Sequence, residues 1–150
     1  MIQLIRTDSG NGNFIKLVRL LDDELAKRDG DDHSFYAQFN NIDVIKHALV
    51  AFDDGIPVGI GAIKRYDDTT MEVKRMYTLP ASRGKGIASQ VLSELETWAA
   101  ELSFKKCILE TGKRQPEAIE LYKKKGYQII ENFGQYAGVE NSVCFVKELI

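Results

Sequence analysis

Between Met71 and Glu110 the hydrophobic period changes twice, and this restricts the topology more than any other feature of the chain. Met71–Thr78 reads as a strand. Ile87, Val91, Leu95, Trp98 and Leu102 then fall on one face of a helix of roughly four turns. Cys107–Glu110 is a short apolar run of strand type. Strand, helix and strand in succession form a βαβ crossover, so the two strands are expected to lie parallel. Leu79–Lys85, which holds Pro80 and Gly84, is the loop joining the first strand to the helix.

The flanking segments fit around this unit. Ile2–Thr7 reads as a first strand. Phe14, Leu17, Val18, Leu21 and Leu25 recur at helical spacing, which predicts an amphipathic helix from Asn13 to Lys27 with Gly30 as its stop. Ala48–Phe52 and Ile56–Lys64 are strands joined by the turn Asp53-Asp54-Gly55, and Asp67-Asp68-Thr69 turns the chain into Met71–Thr78. These three strands form an antiparallel meander. Pro116 suits the first turn of a helix running through Lys125, which Gly126 ends. Tyr127–Ile130 and Val143–Glu148 are closing strands. The expected architecture is α/β (α+β), with a mixed, mostly antiparallel sheet, one parallel pair and flanking helices. The 150 residues suit a single domain spanning 1–150.

Composition removes several function classes. A net charge of -2 with dispersed basic residues argues against nucleic acid as a partner. No apolar run reaches the length of a membrane span, and the N-terminal residues lack the pattern of a signal peptide, so a cytoplasmic protein without a membrane partner is expected. Cys107 and Cys144 sit in apolar strand-like runs and read as buried thiols. The histidines, His33 and His47, have no ligand spacing, so no metal is expected.

The chemistry-bearing segment is Arg83-Gly84-Lys85-Gly86-Ile87-Ala88. Two glycines one residue apart let the backbone turn tightly and approach a ligand. The first amides of the following helix have no internal acceptor, and the helix dipole places partial positive charge there. The result suits a pyrophosphate, with Arg83 and Lys85 as added cations. A nucleoside triphosphate loop would need Ser or Thr after the lysine, where Gly86 stands. The dinucleotide fingerprint would need an early βαβ unit, and this one comes late.

The same six residues resemble the acetyl-CoA pyrophosphate loop of the GNAT superfamily of N-acetyltransferases, with Arg83, Gly86 and Ala88 in the pattern positions. Glu72-Val73-Lys74-Arg75-Met76-Tyr77-Thr78 resembles the strand that leads into that loop. Leu109-Glu110-Thr111-Gly112 and Ala118–Tyr127 resemble the family's later conserved block. The three blocks occur in the family's order, and the resemblance covers residues 48–130.

The resemblance implies a strand that splays from its parallel neighbour, with coenzyme A in the gap. It implies backbone contacts to the pantetheine arm from Met76, Tyr77 and Thr78, and a pyrophosphate cradle from Gly84, Lys85, Gly86, Ile87, Ala88 and Ser89. Gln115 takes the place of an asparagine that many members carry before the second helix. Acyl transfer to an amine needs a base for the ammonium proton and an acid for the leaving thiolate. Tyr122 matches the family's tyrosine acid. Glu110 and Glu72 both match positions where members place a base, acting directly or through water.

The implied activity is therefore transfer of acetyl from acetyl-CoA to a primary amine, small-molecule or peptide, by direct attack in a ternary complex. The alternative is a non-catalytic acyl-CoA-binding regulatory module on the same fold. By family likeness the acceptor site lies among Leu25–Asn41, with Asp29, Asp31, Asp32, Phe35, Tyr36 and Phe39, and the closing segment 132–142. Phe133–Gly138 is expected to form a loop over the acceptor pocket. Fold analogy also allows a homodimer through the closing strands.

Overall fold

The computed structural model describes residues 1–29 and 45–149. Among them, in chain order, are β1 (Ile2–Thr7), α1 (Gly12–Asp29), β2 (His47–Asp53), β3 (Ile56–Arg65) and β4 (Thr70–Thr78). Then follow α2 (Ile87–Glu101), β5 (Lys106–Gly112), α3 (Pro116–Lys124), β6 (Gln128–Ile130) and β7 (Ser142–Glu148). The expected elements all form, with ends shifted by a few residues: α1 starts earlier and β5 runs on to Gly112. A 3-10 turn, Pro80–Ser82, occupies part of the expected loop before α2. Gly30, expected to stop α1, lies outside the described residues.

The strands form one sheet in the order β1-β2-β3-β4-β5-β7-β6. Its pairs are antiparallel except β4–β5, as the crossover through α2 requires. Alternation along β2 shows why a nearly continuous apolar run is needed there. Ala48 and Val50 face α1, packing with Phe14, Leu17 and Leu21. Leu49 and Ala51 face the other way, packing with Ile87, Val91 and Leu95 of α2. Each large side chain buried in this way contributes about 1.5–3 kcal/mol. The sheet is thus covered on both sides, and its central strands are buried on both faces. Cys107 and Cys144 are buried and free, and desolvation pushes their thiols up to about 12 and about 11.

Two backbone features set the geometry of the middle of the sheet. Gly61 of β3 lets α2 settle onto bare backbone: a Cβ there would lie 2.7 Å from both Met76 Sδ and Val91 Cγ1. In β4 the register against β3 slips, since Tyr77 to Lys74 spans three steps where Ile60 to Ala62 spans two. The extra residue is a β-bulge, and Arg75 within this stretch has φ of 60°.

The bulge has a consequence on the opposite edge of β4. The parallel ladder with β5 holds only from Thr70↔Lys106 to Glu72↔Ile108, although both strands continue. Beyond that point β4 stays with β3, while β5 stays with β7 along its whole length. The sheet therefore splits between its two parallel strands.

Candidate active site

Where β4 and β5 part, the structure holds a cavity of about 130 Å³. Glu72 and Met76 reach it from β4, Glu110 from β5, Gln115 from the start of α3 and Tyr122 from within α3. Sequence reading had separated these residues by up to fifty positions, and the split sheet gathers them. Tyr77 and Thr78 continue along β4 to the loop, and Gly84 to Ser89 follow at the start of α2, outside the cavity lining.

That loop takes its form from its glycines. Gly84 and Gly86 both have φ of 79°, and Gly86 is the N-cap of α2. A Cβ at either position would meet nothing within 4 Å. The glycines are needed for conformation, not for room. With no side-chain cap on α2, the amides of its first turn point out of the helix end. Ile87 itself is buried in the core, Ala88 and Ser89 are half-buried, and Lys85 is exposed.

Arg83 makes contacts that the sequence does not announce. Its Nε donates to the Thr78 carbonyl oxygen at 2.9 Å and its Nη2 to Glu24 Oε1 at 2.7 Å, with the guanidinium over the Tyr77 ring. The side chain thus ties the loop to α1. Glu24 also pairs with Arg28, which reaches Glu117 at the start of α3.

Tyr122 is buried, and its ring packs against Tyr127 and Phe145 at centroid distances of 5.8 and 5.7 Å. Burial, then the Glu110 charge, push its hydroxyl above the ordinary tyrosine range, so it stays protonated at neutral pH. Glu72 is 8% exposed. Burial raises its carboxyl above the usual range, against the opposing pull of Lys74 and Lys64. The Lys74 Nζ lies 3.9 Å from Glu72 Oε2. Glu110 is half-buried and accepts a 2.7 Å hydrogen bond from Ser142 Oγ.

Glu72 and Glu110 share a sheet face, because Glu72 is registered with Ile108, two residues before Glu110. Tyr136 covers that face from the 3-10 turn Gly134–Tyr136. It is buried, and its hydroxyl is pushed up by burial and then by the Glu110 and Glu72 charges. Its loop was expected over the acceptor pocket, but the residue itself was not singled out. Arg75 and Lys74 also line the cavity, as do Leu21 and Leu25 of α1, which the helical period marks only as core. Asp31, Asp32, Phe35, Tyr36 and Phe39 fall outside the described residues, as does the side chain of Asp29. Among the described residues no cluster of three or more His, Cys, Asp or Glu could hold a metal ion, and no helix is long and apolar enough to cross a membrane.

The sheet thus splits between its parallel strands beside a glycine-built helix start. A sequence model of the Acetyltransferase (GNAT) family matches residues 14–127, and the chain belongs to that family. It is 38% identical over 102 residues to the IAA acetyltransferase of Azospirillum brasilense, covering 67% of each chain. It is 36% identical over 92 residues to the uncharacterized N-acetyltransferase YjgM of Escherichia coli K12, covering 61% of this chain and only 55% of that relative. A proposed acyl-CoA N-acyltransferase from Klebsiella pneumoniae superposes with a TM-score of 0.84 at 28% identity, covering 100% of this chain and 99% of the other.

Proposed function

We propose that this protein transfers acetyl from acetyl-CoA to a primary amine by direct attack in a ternary complex. The observation that carries this reading is the β4–β5 split, whose cavity holds Tyr122, Glu72 and Glu110 together. Family membership supports the acetyl group, and the acyl-CoA named for the Klebsiella relative supports the coenzyme. The backbone of Met76, Tyr77 and Thr78 forms the strand edge that faces the gap and binds the pantetheine arm. The amides from Gly84 to Ser89 bind the pyrophosphate, and Gln115 contacts the coenzyme from the other side. Arg83 and the exposed Lys85 supply positive charge to the pyrophosphate beside the helix start.

Glu72 is the base. A carboxylate raised by burial takes a proton more readily than an ordinary one, and the ammonium must lose a proton before its nitrogen can attack. Glu110, held by Ser142, adds a second negative charge that draws the ammonium in. As the carbon–sulfur bond breaks, Tyr122 donates its hydroxyl hydrogen bond to the departing sulfur. The second amine proton ends on the thiol and the first passes from Glu72 to solvent, so the products are the amide and free coenzyme.

Tyr122→Phe tests the reading and separates it from a non-catalytic acyl-CoA-binding module. The phenyl ring keeps the packing against Tyr127 and Phe145 and removes only the hydroxyl. Thiol release should fall by roughly 100-fold or more, the usual size of a general acid's contribution. Binding of acetyl-CoA, measured calorimetrically, should be retained. Unchanged turnover would remove Tyr122 from the mechanism.

A further inference from the structure

On the α2 face of the sheet lies a buried polar circuit that the reaction above does not use. Glu96 of α2 is 12% exposed at its side chain. Its Oε2 accepts a 2.9 Å hydrogen bond from the Tyr127 hydroxyl, and its Oε1 accepts one of 2.9 Å from Lys147 Nζ. Tyr127 is itself buried, with the Cys107 thiol beside its hydroxyl. The Lys147 ammonium lies 5.7 Å from the centroid of the Tyr127 ring. On the other side of Gly126, Lys125 Nζ donates a 2.6 Å bond to Ser93 Oγ. Ser93 and Glu96 are three apart on α2 and share a face. The chain leaving α3 is thus tied to α2 at two neighbouring points.

This circuit closes on Tyr122. The Tyr122 ring packs against both Tyr127 and Phe145. Phe145 and Lys147 are two apart on β7, so they share a sheet face. One carboxylate therefore holds both neighbours of the Tyr122 ring: Tyr127 directly, and Phe145 through the strand that carries Lys147. A carboxylate and an ammonium withdrawn from water stabilise a fold little better than apolar side chains of the same shape. What a satisfied buried network supplies is one fixed geometry. Resting on the acyltransferase reading above, in which Tyr122 donates to the departing sulfur, we infer that Tyr127 is a positioning residue: bonded to Glu96, it holds the Tyr122 ring so that the hydroxyl meets the thioester sulfur. Because α2 begins at the pyrophosphate loop and α3 carries Tyr122, the Tyr127–Glu96 bond also fixes the acid relative to the helix on which the coenzyme rests.

The test is a double-mutant cycle of Tyr127→Phe and Tyr122→Phe, read as thiol release from acetyl-CoA. The acceptor is the most reactive amine from a panel of amino acids, polyamines and alkylamines, or water where no amine reacts. Tyr127→Phe keeps the ring and removes the bond to Glu96. Its kcat should fall by about tenfold, part of the roughly 100-fold that a misplacement of about 1 Å costs, while the KM for acetyl-CoA stays within about twofold. In the Tyr122→Phe background the same substitution should change kcat by less than about twofold, because the group it positions is gone. Glu96→Leu, which leaves Tyr127 in place, should repeat the loss, and Glu96→Gln, which keeps an oxygen for the hydroxyl, should recover most of it. An unchanged kcat in Tyr127→Phe, an equal loss in both Tyr122 backgrounds, or an equal loss in Glu96→Leu and Glu96→Gln overturns the inference and leaves the acyltransferase reading intact. If Tyr122→Phe alone leaves kcat unchanged, the acid role falls and the inference with it. Absence of thiol release with every acceptor removes both.

Discussion

Gly86→Ala probes the loop at the point where conformation and binding share one backbone. Gly86 sits at φ 79°, ψ 12° as the N-cap of α2. A Cβ built there meets nothing within 4 Å, so no steric clash contributes. The expected penalty is that of holding an L-residue in the left-handed region, about 1–2 kcal/mol. For a chain of this size 1 kcal/mol shifts the melting midpoint by about 2–4 °C, so a drop of about 2–8 °C is expected if the loop keeps its shape. If the loop instead relaxes to negative φ, the stability loss is spared, but the first-turn amides turn away and acetyl-CoA affinity falls. Urea denaturation and calorimetric titration with acetyl-CoA on the same preparation measure both quantities. Gly86→Asn should lose less than Gly86→Ala on either scale, because asparagine tolerates this region. An alanine variant with an unchanged midpoint and an unchanged affinity would refute the reasoning.

Two further substitutions test separate parts of the account. Glu72→Gln should reduce kcat by roughly 100-fold or more if Glu72 is the base, while raising the melting temperature at pH 7–8. The sign follows from its raised folded pKa: between the unfolded value and that folded value the native state binds more protons, so stability falls as pH rises, and the neutral amide escapes this loss. Undiminished turnover would transfer the role to Glu110. Gly61→Ala should cost about 1–3 kcal/mol by overpacking, since its Cβ would meet Met76, Val91 and Leu95 at 2.7–2.8 Å; a variant as stable as wild type in urea would mean that α2 does not rest on β3 at this point.

The elements were legible because their signals are local. The change of period between Met71 and Glu110 predicted the crossover, and the crossover fixed the parallel pair that the sheet shows. The glycines at 84 and 86 announced their left-handed turns through residue type alone. The bulge in β4 was not legible, because an arginine at position 75 gives no hint of positive φ. It shows only in the pairing with β3, where three steps of β4 face two of β3. Of the cavity lining, Glu72, Met76, Glu110, Gln115 and Tyr122 were named from the sequence, but their closeness was not legible, since the register of Glu72 with Ile108 is what brings Glu110 onto the same face. The contact of Arg83 with Glu24 was not legible, because the two lie 59 positions apart in the chain. Tyr136 reaches the site only through the 3-10 turn that buries it, and a lone aromatic in a glycine-flanked loop does not announce such a turn.

Melting of the purified protein with acetyl-CoA, ATP and NAD in separate wells tests the central claim most directly. A ligand that binds only the folded state at a hundredfold excess over its Kd adds about 2.7 kcal/mol, or roughly 5–11 °C for a chain of this size. The split sheet and glycine loop predict that rise with acetyl-CoA and none with the other two. A rise with ATP or NAD alone, or no rise with acetyl-CoA, would contradict the account.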